Sequence, residues 1–225
     1  MRTTLFCTLL LLSGSLFSQQ NQFTFQLEAD ANASMLSGNS LISNVAAHGA
    51  HAGITLQHIF NEQWHLGTGL HYQYFTSRSG DITFTDQNGT DLGVSQMQGT
   101  IHYLQVPLLL EYAFKKFDRL NVYAGVYGGL NVADDYDVRD NLDIPRTDEV
   151  EGRYFNRHDA GLLAGVTYDI CRGEQWTWAG QLRYQHGLMD VTQEFDNPDP
   201  FQNQVRSVGL GIVLKRSNTP QVGLP

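Results

Sequence analysis

Cysteine is nearly missing from this chain: Cys7 and Cys171 are the only two in 225 residues. No disulfide framework can be built from that supply. Positive charge is scarce as well. Only 14 Lys and Arg face 23 Asp and Glu, for a net charge of −9. That balance excludes nucleic acid as a partner, because phosphate binding needs a basic surface. Charged residues of both signs make up 16% of the chain, whereas a water-facing surface is roughly a quarter to a third charged. After Gln20 no apolar run approaches the ~18 residues of a spanning helix. Apolar residues three and four apart, the mark of an amphipathic helix, do not recur either.

The one apolar run lies at the start. Arg2 supplies a positive charge, Leu5 to Leu12 an apolar stretch and Ser13 to Ser18 a small-residue exit. This is the pattern of a secretory signal peptide. Residues 1–18 are expected to be removed on export, leaving residues 19–225 as one domain. A permanent anchor is the competing reading, but the stretch is too short to span. Cleavage would take Cys7 with it and leave Cys171 alone.

What is abundant is alternation with period two, the mark of a strand with unlike faces. From Ala50 the residues Ala50, Ala52, Ile54, Leu56, His58 and Phe60 alternate with His51, Gly53, Thr55, Gln57 and Ile59. The contrast returns in Leu66 to Tyr74, Leu104 to Phe114, Leu120 to Val132, Ala160 to Ile170, Trp176 to Leu188 and Val208 to Leu214. Phe23 to Ala31 adds a first strand. The sum is about eight, each near the ~9–11 residues that a tilted membrane-spanning strand requires. Connections alternate too. Asn61–Gln63, Lys115–Arg119 and Cys171–Gln175 are short, whereas Ser34–Ala47, Thr76–Gly99, Ala133–Arg157 and Asp190–Gln204 are long. Short periplasmic turns and long external loops characterise outer-membrane barrels, and an even strand count puts both termini on the periplasmic side. The expected fold is therefore all-β: an eight-stranded antiparallel up-and-down transmembrane β-barrel.

A soluble barrel would show the same alternation with the apolar face turned inward. The polar face decides between them. It consists of Gly, Thr, Gln, Asn, His and Tyr, with Glu28, Asp30, Glu111, Asp159, Asp169, Arg183 and Lys215 as its charges, which suits a cramped lumen better than a wet exterior. Phe60, Trp64, Tyr112, Phe114, Tyr168, Trp176 and Trp178 gather near the short-turn ends, as in an aromatic girdle at a membrane interface. Tyr72, Tyr74 and Tyr184 form a weaker second girdle. Gly125, Gly129, Gly161, Gly165, Gly209 and Gly211 recur on the polar face, where a narrow barrel has little room.

The segment Tyr103-Leu104-Gln105-Val106-Pro107-Leu108-Leu109-Leu110-Glu111-Tyr112 resembles a central strand of PorT-like outer-membrane barrels of Bacteroidota. Asp159 to Gly165 and Ser207 to Gly211 are similar to later strands of that family. The resemblance implies an eight-stranded barrel in the outer membrane, with a link in some members to secretion and gliding, and no catalytic residues. The chain departs from the usual pattern at its end, where Ile212 and Leu214 replace an aromatic assembly signal and a tail runs from Ser217 to Pro225.

Candidate chemistry is sparse. His48 and His51 would point to opposite faces of a strand, and the remaining histidines are scattered without cysteine partners or helical spacing, so neither a metal site nor any cofactor is expected. The acidic stretch Asp134 to Arg153 lacks the EF-hand glycine and final glutamate and is read as a solvated loop. His158-Asp159, and His186 with Asp190, could serve a rim enzyme, but no nucleophile motif accompanies them. Glu28, Glu111 and Arg183 form a candidate lumen charge cluster, with Arg183 expected to bridge to Glu111 or Glu28. The expected function is the display of extracellular loops for binding or a secretion-accessory role, without catalysis. A narrow channel for small solutes and an outer-membrane enzyme are the alternatives. The implied partners are outer-membrane lipid and, through the long loops, other envelope or secretion proteins.

Overall fold

A computed structural model describes residues 23–38, 45–79, 82–85, 91–140, 155–191 and 203–217. The expected signal peptide, most of the acidic stretch and the tail beyond Ser217 lie outside the described residues. Nine strands follow in chain order: β1 (Phe23–Gly38), β2 (Ala47–Ile59), β3 (Trp64–Arg78), β4 (Ile82–Thr85), β5 (Asp91–Ala113), β6 (Leu120–Asp140), β7 (His158–Arg172), β8 (Trp176–Gly187) and β9 (Asn203–Ser217). No helix occurs among the described residues.

All neighbours in the sheet are antiparallel. β1 pairs with β2 and with β9, which sets the first and last described strands side by side. The order β3-β2-β1-β9-β8-β7-β6-β5 closes on itself through a β3–β5 ladder from Trp64↔Tyr112 to Arg78↔Gln98. β4 is a short flap paired only to the projecting start of β5. The closed ring therefore has eight strands, and closure leaves no unpaired edge to meet hydrocarbon. The long connection Thr76–Gly99 carries sheet of its own in its described residues. The β4 flap and the extensions of β5 and β6 carry sheet beyond the barrel wall, and the ladder Ser95↔Asp140 to Thr100↔Asp135 takes the first acidic residues into a strand.

The faces follow the alternation. Leu108 is 50% exposed on the outside while Gln105 is fully buried inside, so the apolar face points out. At the short-turn end Asn61 Oδ1 accepts hydrogen bonds from the backbone N–H groups of Gln63 and Trp64, both at 2.9 Å, which fixes the β2–β3 turn. Around that end stand Phe60, Trp64, Tyr112, Phe114, Tyr168, Trp176 and Trp178. Trp64 packs on Tyr112 at 4.8 Å and Tyr112 on Phe114 at 5.0 Å, and the Arg216 guanidinium lies 5.3 Å from the Trp176 ring. The second girdle holds more than tyrosines: His102 packs against Tyr72 and Tyr74, and His186 stacks on Tyr184.

Candidate functional site

The inward side chains fall into tiers along the barrel axis. The lowest is a vestibule of about 320 Å³ at the short-turn end. Glu111 sits in it, accepting a hydrogen bond from Gln57 Nε2 at 3.1 Å and lying 3.2 Å from His65 Nδ1. Lys215 and Arg172 hold Asp169 at 3.4 and 2.9 Å in the same chamber.

The middle tier is a dense polar cluster, and glycine explains how it forms. Glu28 on β1, Gly53 on β2 and His71 on β3 are register partners in one row. A Cβ on Gly53 would lie 2.5 Å from the His71 ring, so the missing side chain lets His71 lean across β2. Its Nε2 reaches Glu28 Oε1 at 3.0 Å. Thr55 donates to the same oxygen at 2.7 Å, and Gln181 donates to Glu28 Oε2 at 3.2 Å. A glycine also makes room on the other side of β1. A Cβ on Gly209 of β9 would sit 2.5 Å from Asp30 Oδ1. Asp30 leans into that gap, with Arg183 of β8 at 3.5 Å and His51 Nδ1 at 2.8 Å from its Oδ2. Leu109, Tyr123, Tyr127 and Leu163 fill the opposite wall.

The third tier is apolar. Leu36, Phe75, Ile101, Tyr103, Phe155, Val191 and Val205 pack together at the long-loop end. Phe155 and Val191 come from the segments flanking β7 and β8, and their backbones are stitched together. Asn156 N–H donates to Val191 O at 2.8 Å, Val191 N–H to Asn203 O at 2.9 Å, and Asn131 N–H to Arg157 O at 2.7 Å. The ring of Phe155 lies where a Cβ on Gly99 would be, 2.6 Å away. The result is a cork across the barrel mouth.

Glu28, Glu111 and Arg183 all face the lumen and are all buried, but the expected bridge is corrected. Among the described residues no ion pair joins Arg183 to Glu28 or Glu111; its carboxylate is Asp30. Glu111 lies a tier lower, and Glu28 is engaged by His71, Thr55 and Gln181. Parity gave each side chain's face but not its reach across a glycine. His48 and His51 do point to opposite faces, yet His51 meets His71 from the next strand at a ring separation of 4.8 Å. Spacing along one strand could not reveal that meeting; the register across β2 and β3 could. The rim pair separates: Asp159 is buried and accepts a hydrogen bond from Tyr127 at 2.7 Å, while His158 is exposed. Parity places Tyr103, Tyr123 and Tyr127 inside as partial filling, but the apolar cluster around Tyr103 was not foreseen, although Phe75, Ile101 and Val205 break the polar run of inward residues at one end of their strands.

The profile of the outer membrane protein beta-barrel domain matches residues 17–193. No curated protein matches the sequence. Among solved structures, Ail, the attachment invasion locus protein of Yersinia pestis, is similar at 11% identity and TM-score 0.40, over 86% of this chain and 99% of that one. Neisserial surface protein A is similar at 16% identity and TM-score 0.42, over 85% and 96%. OprG from Pseudomonas aeruginosa is similar at 12% identity and TM-score 0.37, over 86% and 95%.

Proposed function

We propose a function from one premise: this chain belongs to the outer membrane protein beta-barrel domain family, and so to the outer membrane. Within it, the protein is a non-conducting, non-enzymatic barrel of PorT-like type, exported by its signal peptide, with periplasmic termini. It holds long loops at the cell surface for binding or as an accessory to secretion. The observation that carries this reading is the cork of Phe155 and Val191 over a lumen already crossed by charged side chains. An eight-stranded barrel has room for little beyond its own side chains. The separation of His158 from Asp159, which is tied to Tyr127, speaks against a rim enzyme.

Reconstitution in planar bilayers tests the reading against the narrow-channel alternative. Wild-type protein is expected to give no conductance steps above the lipid background. Steady single-channel currents would favour the channel. Affinity capture from detergent-solubilised outer membrane, with the loops intact and then replaced by short turns, is expected to retain envelope proteins only in the first case.

A further inference from the structure

We propose that the middle tier of the lumen is a zinc site built from Glu28, His51 and His71, an inference independent of the loop-display function. One ligand atom from each residue lies within 4.8 Å of the other two, and all three side chains are buried. Two imidazoles and a carboxylate suit a borderline ion of the zinc class, whereas calcium and magnesium favour all-oxygen shells.

Two further observations point to a ligand. Within this buried tier neither ring nitrogen of His51 has a hydrogen-bond partner among the described residues, although burying a polar atom unpaired is costly. The second is the placement of Asp30. Its Oδ2 lies 2.8 Å from His51 Nδ1, so the opposite ring nitrogen, Nε2, is the one left to ligate. A carboxylate behind a ligating imidazole is the outer-shell partner that fixes the ring and raises its basicity. Glu28 Oε1 and His71 Nε2, 3.0 Å apart, already have nearly the separation of two ligands on one ion, roughly 3.4 Å for tetrahedral bonds of ~2.1 Å. Thr55 Oγ1, 2.8 Å from the same nitrogen, or a water completes the shell. The charges agree: two carboxylates, Glu28 and Asp30, face one guanidinium, Arg183, and a dication offsets the excess.

The test uses the full mature barrel without a histidine tag, folded in detergent, stripped with a chelator, loaded with zinc chloride and desalted. About one zinc per barrel is expected to remain, falling below about a tenth in His51→Gln and His71→Gln. His102→Gln, on the outer face, is expected to keep it. Asp30→Asn is expected to bind about 10–100-fold more weakly, since it removes the outer-shell partner. Heat-modifiable migration establishes that each variant is folded. X-ray absorption on zinc-loaded wild-type protein reads the ligands without any variant, and two imidazoles with oxygen at ~2.0–2.1 Å are expected. Failure of wild-type protein to retain zinc, retention unchanged in both histidine variants, or a spectrum without imidazole would each overturn the site.

Discussion

At the residue scale, this lumen is organised by side chains that are absent. Gly53 and Gly209 each leave a slot that a neighbouring side chain fills, the His71 ring on its way to Glu28 and the Asp30 carboxylate where it meets Arg183. Gly53→Ala is therefore expected to destabilise the barrel by about 1–3 kcal/mol, the usual cost of overpacking. Denaturant unfolding in lipid vesicles reads it, and an unchanged midpoint would mean that His71 does not need the slot. Arg183→Met leaves a buried carboxylate without its cation and is expected to cost about 3–5 kcal/mol. Adding Asp30→Asn to Arg183→Met should recover part of that loss, because the orphaned charge goes too. Strictly additive losses would show that the pair is not coupled.

At the element scale, the strands obey one alternation and the membrane reads it. Leu108 lies on β5 midway between Tyr112, which packs on Trp64 in the lower girdle, and Leu104, register partner of Tyr72 in the upper one. Leu108→Arg is expected to cost roughly 2–4 kcal/mol, as for a cation at the bilayer midplane. Gln105→Asn, on the lumen face of the same strand, is expected to cost less. Equal losses in vesicle unfolding would mean that the lipid-facing and lumen-facing sides had been exchanged. Strand identity, face and short turns were legible in the chain because a one-residue slip would turn every apolar side chain inward. Two things were not. The sheet extensions of β4, β5 and β6 escape because their alternations, Ile82 and Phe84 against Thr83 and Thr85, or Tyr136 and Val138 against Asp135 and Asp137, are too short to read as spanning strands. The Asp30–Arg183 and His51–His71 encounters escape because they depend on register across β9 and β2, which no single strand encodes.

At the scale of the whole molecule, the lumen is obstructed twice in series. The polar tier links β1 to β3 and β8 through Glu28 and Asp30, and the apolar cork closes the long-loop end. An ion crossing the barrel would have to pass both, so the tighter obstruction sets the leak. Truncating Arg183 thins only the polar tier and leaves Phe155, Tyr103 and Val205 in contact above it. Truncating Phe155 opens the mouth and leaves the charged cluster below. Arg183→Ala alone and Phe155→Ala alone are therefore both expected to stay at background conductance in planar bilayers. The double variant, still folded by heat-modifiable migration, is expected to give discrete steps. The dry cork is the higher barrier to ions, since a desolvated charge gains no hydrogen bond from it, whereas the polar tier can exchange a side-chain contact for water. If one variant conducts by itself it should therefore be Phe155→Ala. Currents from Arg183→Ala with the cork intact would show that the mouth is open to water and that the polar tier alone seals the barrel.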